Sequence, residues 1–493
     1  MSKLLIFTVI FLFFILLLGV SFFSSRKANS ETFFTGNRRS PWYLVAFGMI
    51  GSTISGVTFI SVPGEVGHSA WTYLQFLLGN FIGYWLIAWV LIPLYYRLEL
   101  VSIYTYLDRR FGRHSYKTGA FFFLLSQTVG ASFRLYLAAG VLHLAFFDSL
   151  GIPFWLTVLF TLLVIWLYTF RGGIKTIVWT DSLQTLFLLG AVGVTLFVLG
   201  RQLKLDAGEM ITVISRHPMS RTFDWDWQSA TNFVKQFAAG LGTVIVMNGL
   251  DQNMMQKNLS CKNRRDAQKN IFWFSFAFIL ANLIFLCLGV LLYVYAARKG
   301  IALPERTDDL YPLLAMQHFG ILAGILFLIG ILSAACSSAD SALTALTTSF
   351  CIDILNMKPD VPGTRLVRLR VHLVFSLIMF LVIVFFRTVH SRSVVNAIFR
   401  VAGYTYGPLL GLYAFGLFSR RQVCDRLVPL VCVLAPLLSY LVSARSEDWF
   451  GGYTFGFELL LFNGAITFFG LLILTASFMR RTKKAVQFPE GDS

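Results

Sequence analysis

Long apolar segments follow one another along almost the whole chain and are separated by short polar stretches. Each is long enough to cross a bilayer as a helix, because about 20 apolar residues span the hydrocarbon core. The pattern predicts an all-α polytopic membrane protein with about thirteen transmembrane helices. The predicted segments cover about 3–23, 42–67, 71–96, 118–146, 153–170, 175–200, 230–254, 268–297, 313–349, 366–386, 394–418, 427–443 and 455–478.

The amino-acid composition agrees with this prediction. Hydrophobic residues make up 56% of the 493 residues and charged residues only 13%. A soluble domain of this size needs far less apolar surface. The longest predicted stretch outside the membrane, about 201–229, is too short for a catalytic or receptor domain. The six cysteines are scattered, which indicates reduced thiols and no disulfide framework.

The net charge of +17 is explained by its distribution along the chain. Loops alternate between more and less basic, and 27 of the 41 Lys and Arg residues fall in one set. The positive-inside rule then predicts an N-terminus outside and a cytoplasmic C-terminus in the cell inner (plasma) membrane. The charge thus reflects topology in a lipid bilayer and predicts no nucleic-acid partner. Arg26 and Lys27 follow the first apolar segment, so we expect a retained helix and not a cleaved signal peptide.

Two predicted spans are interrupted by glycine and polar residues at membrane depth. The second reads GMIGSTISGVTFISVPGEVG over 48–67, and the seventh reads AAGLGTVIVMNGLDQN over 238–253. Such interruptions free backbone groups, which persist in a membrane only where they line a cavity or bind something. The two segments are five spans apart, and paired broken helices in corresponding halves indicate an inverted-repeat transporter. The alternative is that these glycines only let helices pack closely.

The ninth span carries a stripe of small hydroxyl residues. Positions i, i+3, i+4 and i+7 share one face of a helix, and they are occupied by Ala334, Ser337, Ser338 and Ser341. Asp340 borders this stripe. Hydroxyl, carboxylate and carbonyl oxygens are ligands for a hard cation, and an ionisable side chain in a span suggests function. The alternative is a close-packing helix whose serines bond to their own backbone.

Several long motifs, in this order, make the chain resemble the sodium/solute symporter family over nearly its whole length. They are S-x-I-S-G-V-T with V-P-G-E in the second span, GGIKTIVWTDSLQ (172–184), GLDQNMMQKNLSCKN (249–263), SSADSALTALTTSFCIDI (337–354) and GPLLGLYAFGLF (407–418). The resemblance implies a LeuT-like five-plus-five inverted-repeat core and alternating access driven by inward sodium. It implies one domain: a first helix and loop (1–40), a ten-helix core (41–420), two C-terminal helices (421–479) and a cytoplasmic tail (480–493).

The resemblance also implies two sodium sites. The common site would be formed by backbone carbonyls of the broken helix and by the stripe on the ninth span: Gly51, Ile54, Ala334, Ser337 and Ser338. A second site, found in some bacterial members, matches Asp181, Ser337, Asp340 and Ser341. Asp340 stands where the family usually has serine, so it could strengthen cation binding or carry a proton. The alternative for Asp181 is a capping or surface role near a helix start.

Arg134 lies deep in the fourth span. A guanidinium there needs an anionic partner, either a substrate carboxylate or an internal partner such as Asp181, Asp340 or helix carbonyls. Bacterial sialic acid symporters carry an arginine in this core helix that meets the substrate carboxylate, and the resemblance favours that role. It also implies substrate contacts from the hydroxyls of Thr53, Ser55 and Thr58, while Phe76 and Asn80 on the third span are candidate pocket neighbours.

The sequence therefore predicts a symporter, not an enzyme, that couples Na⁺ to import of a small anionic, carboxylate-bearing solute. Sialic acid (N-acetylneuraminate) is the single best candidate. The alternatives are another solute (a monocarboxylate, a vitamin, iodide, a sugar or proline), a non-transporting sensor on the same fold, or a polytopic lipid-modifying enzyme. Nothing in the pattern requires an oligomer.

Overall fold

The structure is a computed structural model, and it describes residues 3–26, 28–229, 231–358, 364–388, 394–453 and 455–485. Within these residues the chain is helical, with no β-strand beyond one isolated bridge between Ser40 and Cys261. The long helices and the halves of the broken ones are α1 (Lys3–Ser24), α2 (Trp42–Thr53), α3 (Gly56–Ser69), α4 (Tyr73–Arg97), α5 (Arg113–Leu142), α6 (Phe154–Thr169), α7 (Ile174–Leu203), α8 (Phe233–Gly249), α9 (Gln252–Leu259), α10 (Arg264–Lys299), α11 (Ile321–Ile354), α12 (Thr364–Thr388), α13 (Val394–Phe418), α14 (Val428–Ala444) and α15 (Leu459–Ala485).

All thirteen predicted segments coincide with helices, and the all-α polytopic fold is confirmed. Eight helices among the described residues are long and apolar enough to cross a membrane, or ten if each bent pair is one span. Phe154–Thr169 and Leu459–Thr475 are apolar but shorter. The number of thirteen crossings therefore stays a prediction, while a multi-pass membrane protein is established.

Several predicted boundaries were wrong, two of them for identifiable reasons. The fourth span starts at Arg113, five residues earlier than predicted, because a polar first turn does not interrupt a helix whose later turns are buried. The ninth was predicted to start at residue 313, but Leu310–Gln317 is a separate helix. Gly320, with a φ of 85°, separates it from α11 in a conformation that favours glycine. The last helix also continues to Ala485, into the predicted tail, and residues 486–493 lie outside the described part.

Both predicted broken helices are confirmed. The axes of α2 and α3 differ by 61°, and those of α8 and α9 by 63°. In each pair the second half begins with a side-chain cap: the Ser55 hydroxyl accepts from the Thr58 N–H, and the Asp251 carboxylate accepts from the N–H groups of Asn253 and Met254. A capping side chain supplies the partner that the chain break removes from the first turn. The two breaks occupy corresponding positions of the two halves.

The helix with the serine stripe, α11, lies at the centre of the molecule. In its most apolar 18-residue stretch 72% of the residues are buried by protein, against 22% for the peripheral α14. It packs against α5, α7 and the first broken helix. The stripe therefore faces other helices and not lipid, which is the arrangement that a binding site between helices requires.

Candidate functional site

The break between α2 and α3 frees two backbone carbonyls. Ser55 N–H bonds to the Thr53 carbonyl, so the Gly51 carbonyl loses the partner that a continuous helix would supply. The Thr58 N–H donates to the Ser55 hydroxyl, so the Ile54 carbonyl also loses the partner that a continuous helix would supply. These are the two carbonyls that the family resemblance assigns to the common sodium site.

The stripe on α11 lies directly opposite this break. The Ser338 hydroxyl is 3.0 Å from the Ala334 carbonyl and 3.5 Å from the Ser52 carbonyl. Ser338 and Ala334 are fully buried. The structure thus places the Ser338 hydroxyl and the Ala334 carbonyl beside the chain break that frees the Gly51 and Ile54 carbonyls. Such oxygens are the ligands that a small hard cation prefers.

Gly51 is required by close packing against α7. Its N–H donates to the Thr185 hydroxyl at 3.0 Å. A Cβ at Gly51 would lie 2.3 Å from that hydroxyl oxygen and 3.2 Å from the Thr185 Cα. Any side chain at Gly51 must therefore push α2 away from α7 and move the freed carbonyls with it.

Gly51→Ala should accordingly weaken sodium activation of uptake, since the displaced carbonyls no longer meet α11. Gly193→Ala on α7 is the matched control, because its added Cβ meets no atom within 4 Å. The measurement is uptake rate as a function of sodium concentration for both variants. An unchanged sodium dependence for Gly51→Ala would exclude a role for this carbonyl geometry in sodium binding.

Asp181 is the centre of a second polar cluster. It is 1% exposed and lies two turns inside α7, so it is not a helix cap. Its Oδ1 accepts from the Ser337 hydroxyl at 2.6 Å, and its Oδ2 accepts from the Ser341 hydroxyl at 3.3 Å. Ser337, which we assigned to both sodium sites, therefore directs its hydroxyl to Asp181 in this structure.

Lys257 is the charged residue of this cluster that the sequence analysis missed. Its Nζ lies 2.6 Å from Asp181 Oδ2, and the lysine is 1% exposed. We had counted it among the basic residues of a cytoplasmic loop, but it belongs to α9, the second half of the broken helix. The sequence feature that could have identified it is the motif GLDQNMMQKNLSCKN, in which Lys257 follows a helix-capping residue.

Asp340 is fully buried and is bound differently from Asp181. Its Oδ2 accepts from the Tyr168 hydroxyl at 2.8 Å, while its Oδ1 has no hydrogen-bond partner among the described residues. Asp181 and Lys257 are the charged groups that act most strongly on it. Asp340 thus belongs to the same cluster as Asp181, but its direct contact is with α6.

Arg134 makes none of the internal ion pairs considered from the sequence. Its Nε donates to the Gly130 carbonyl of its own helix at 3.1 Å. Neither of the two ion pairs found among the described residues includes it. The polar groups that act on it electrostatically are Tyr406 and Asp251, not Asp181 or Asp340. Asp251 itself accepts from the Tyr406 hydroxyl at 2.6 Å.

The helix that carries Arg134 packs against the first broken helix. One turn further along α5, Ala138 would be met by a Cβ added at Gly56, at 3.8 Å. The half-buried guanidinium extends the other way, back along its own helix. Thr53 and Thr58, at the break between α2 and α3, are half-buried. A cation with no carboxylate in ion-pair contact can bind an anion.

The two candidate residues on α4 are more enclosed. Phe76 is buried, with its ring 5.7 Å from that of Tyr73 and 5.6 Å from that of Phe457. Asn80 is buried as well, and its side-chain oxygen has no partner among the described residues. Both lie on the face of α4 that packs against α8. Gly79 is on the same face, and a Cβ added there would meet the backbone of Phe237.

An all-helical membrane protein with two corresponding broken helices, freed carbonyls and buried charged side chains is a secondary transporter of the inverted-repeat class. The sequence profile of the sodium:solute symporter family matches residues 33–424, and the chain belongs to that family.

Individual relatives agree with this assignment. The chain is 27% identical to the sodium/sialic acid symporter SiaT of Proteus mirabilis (strain HI4320) over 439 residues, which is 85% of this chain and 86% of that protein. It is 25% identical to the sodium/sialic acid symporter NanT of Aliivibrio fischeri (strain ATCC 700601 / ES114), over 92% of this chain and 90% of that protein.

A solved structure of a Na⁺-coupled sialic acid symporter, in a substrate-bound outward-open state, has the same fold. Its TM-score is 0.82 at 20% identity, covering 96% of this chain and 97% of that chain. The LeuT-like fold is thereby confirmed, and membership of the family confirms the symporter function and sodium as coupling ion. The lipid-enzyme alternative is excluded, because the family and these relatives are symporters.

Proposed function

We propose that this symporter imports a small carboxylate-bearing solute, N-acetylneuraminate being the best candidate, with the substrate carboxylate bound by Arg134. The observation that carries the proposal is a half-buried guanidinium that bonds to a carbonyl of its own helix and has no carboxylate in ion-pair contact among the described residues. Both sodium/sialic acid symporters described above are similar along most of their length, which supports the same substrate class.

The remaining substrate contacts follow from the broken helix. We assign Thr53, Ser55 and Thr58 to the hydroxyls of the solute, with Phe76 and Asn80 closing the pocket from α4. Ser55 already accepts from the Thr58 N–H, so its hydroxyl hydrogen is available to donate. The unpartnered Asn80 oxygen supplies an acceptor. A polyhydroxylated acid offers groups for each of these atoms.

Sodium occupies the common site in this proposal, held by the carbonyls of Gly51, Ile54 and Ala334 with the Ser338 hydroxyl, and Ser337 at its edge. A further cation binds in the cluster of Asp181, Asp340 and Ser341. Sodium ties α11 to the broken helix and so favours the outward-open state. Once the solute has bound, closure outside and loss of sodium to the cytoplasm release it there.

We further propose that the protein works in the cell inner (plasma) membrane with its N-terminus outside and its C-terminus in the cytoplasm. The distribution of Lys and Arg between the two sets of loops supports this orientation. One chain contains every residue assigned to the substrate and to sodium, so transport needs no oligomer.

The test of substrate class is a thermal-unfolding screen of the purified protein with carboxylated solutes, with and without sodium. N-acetylneuraminate is expected to raise the unfolding temperature only when sodium is present. Propionate, biotin, iodide and proline serve as the competing candidates. A sodium-dependent rise with one of these and none with N-acetylneuraminate would reject the proposed substrate and retain the symporter.

A further inference from the structure

The polar cluster around Asp181 has an unbalanced charge. It contains two fully buried carboxylates, Asp181 and Asp340, and one buried ammonium, Lys257. These are the charged groups with the strongest mutual electrostatic action in the cluster. With both carboxylates ionised, one negative charge remains inside the membrane, where an isolated charge is costly. One additional monovalent cation makes the cluster neutral.

Both carboxylate oxygens of Asp181 already have partners. Ser337 donates to its Oδ1 at 2.6 Å, and Lys257 lies 2.6 Å from its Oδ2. A sodium ion placed there would displace the ammonium from its carboxylate into the protein interior. Lys257 therefore serves as the permanent counter-charge of Asp181.

The Asp340 side of the cluster has free oxygen atoms. Asp340 Oδ1 has no hydrogen-bond partner among the described residues, and neither polar atom of the Gln184 side chain has one. Gln184 is fully buried on α7, one turn after Asp181. The hydroxyl of Tyr168 connects the two residues, since it donates to Asp340 Oδ2 and lies close enough to Gln184 to interact with it.

A buried amide oxygen without a partner is costly, so the Gln184 carbonyl points to a ligand. A carboxylate, an amide carbonyl and a phenol supply three neutral or anionic oxygen atoms, which suit a hard cation. A proton on Asp340 would also balance the charge, and its O–H could donate to the Gln184 carbonyl. The pH dependence of uptake therefore distinguishes a proton from sodium.

We propose that a sodium ion binds beside Asp340, between Asp340 Oδ1, the Gln184 side-chain oxygen and the Tyr168 hydroxyl, while Lys257 neutralises Asp181. The inference rests on the proposed second cation and specifies its ligands. It places the ion at Asp340, between α6, α7 and α11, and not at Asp181.

The experiment compares the sodium dependence of uptake in proteoliposomes for the full-length protein and four variants. With two coupled sodium ions, the Hill coefficient of the unmodified protein should approach about 2. Gln184→Leu and Asp340→Asn should each lower it to about 1, because one ion is lost. The double variant Asp181→Asn/Lys257→Met keeps the cluster charge, so its Hill coefficient should stay above those of Gln184→Leu and Asp340→Asn.

Asp353→Asn is the matched control. Asp353 is a fully buried carboxylate at the end of the same helix, bound by hydroxyls of Ser102, Ser349 and Tyr116. Its variant should leave the Hill coefficient unchanged. Folding of each variant is checked by sodium-dependent thermal stabilisation from the common site, which Asp340→Asn should retain.

Three results would overturn the inference and leave the proposed substrate intact. The first is a loss of sodium cooperativity in Asp181→Asn/Lys257→Met while Gln184→Leu keeps its cooperativity. This result would place the ion on Asp181. The second is an unaltered Hill coefficient in Asp340→Asn. The third is uptake that depends on one sodium and on external pH, with the pH dependence removed by Asp340→Asn, which assigns a proton to Asp340.

Discussion

Arg134→Ala is expected to abolish uptake of the carboxylate-bearing solute while leaving a folded, sodium-binding protein. The guanidinium is the proposed partner of the substrate carboxylate, and it has no ion-pair partner of its own among the described residues. Removing one partner of a buried charge pair costs about 2–5 kcal/mol of binding, which is roughly 30-fold to several thousand-fold in affinity. The protein itself should lose little stability, because no carboxylate is in ion-pair contact with Arg134 among the described residues.

The measurement is binding of the solute to purified protein, together with sodium-driven uptake. Arg134→Lys keeps the charge without the bidentate geometry and should recover only part of the affinity. Arg201→Ala, at an exposed position near the end of α7, is the matched control and should bind normally. Equal affinity of Arg134→Ala and the unmodified protein would remove Arg134 from the binding site.

The second large effect is expected at Asp181. Asp181→Asn leaves the ammonium of Lys257 buried without its carboxylate, and breaking one partner of a buried pair costs about 3–5 kcal/mol. Lys257→Met alone should cost a similar amount, since it leaves the buried Asp181 carboxylate without its ammonium. The double variant Asp181→Asn/Lys257→Met removes both charges and should recover most of the lost stability.

Thermal unfolding of the detergent-purified variants measures these differences, with the exposed Glu305→Gln as control. If Asp181 and Lys257 act as a pair, the effect of the double variant is much smaller than the sum of the single effects. Additive losses would show that the 2.6 Å contact does not stabilise the folded protein.

The broken helices were predictable because their cause is local. The glycines and polar residues around Ile54 and Leu250 interrupt two apolar runs, and the capping residues Ser55 and Asp251 follow at once. Periodicity likewise identified the face of α11 that carries Ser337, Ser338 and Ser341. It did not determine which neighbour each hydroxyl meets: Ser337 and Ser341 contact Asp181, whereas Ser338 faces the carbonyl of Ser52.

Lys257 could not be predicted in the same way. It is separated by 76 residues from Asp181, and it lies in a polar stretch that resembles a basic cytoplasmic loop. Only the bend of 63° between α8 and α9 carries this stretch back into the protein. The contact of Asp340 with Tyr168 on α6 depends on how the helices pack, and sequence periodicity does not encode that packing.

Uptake of labelled N-acetylneuraminate by proteoliposomes containing the purified protein tests the central claim most directly. An inward sodium gradient should drive accumulation above the external concentration, and replacing external sodium by choline should remove it. Dissipating the gradient with a sodium ionophore should release the accumulated solute. Accumulation that is the same with choline as with sodium, or none in sodium while another anion accumulates, would contradict the account.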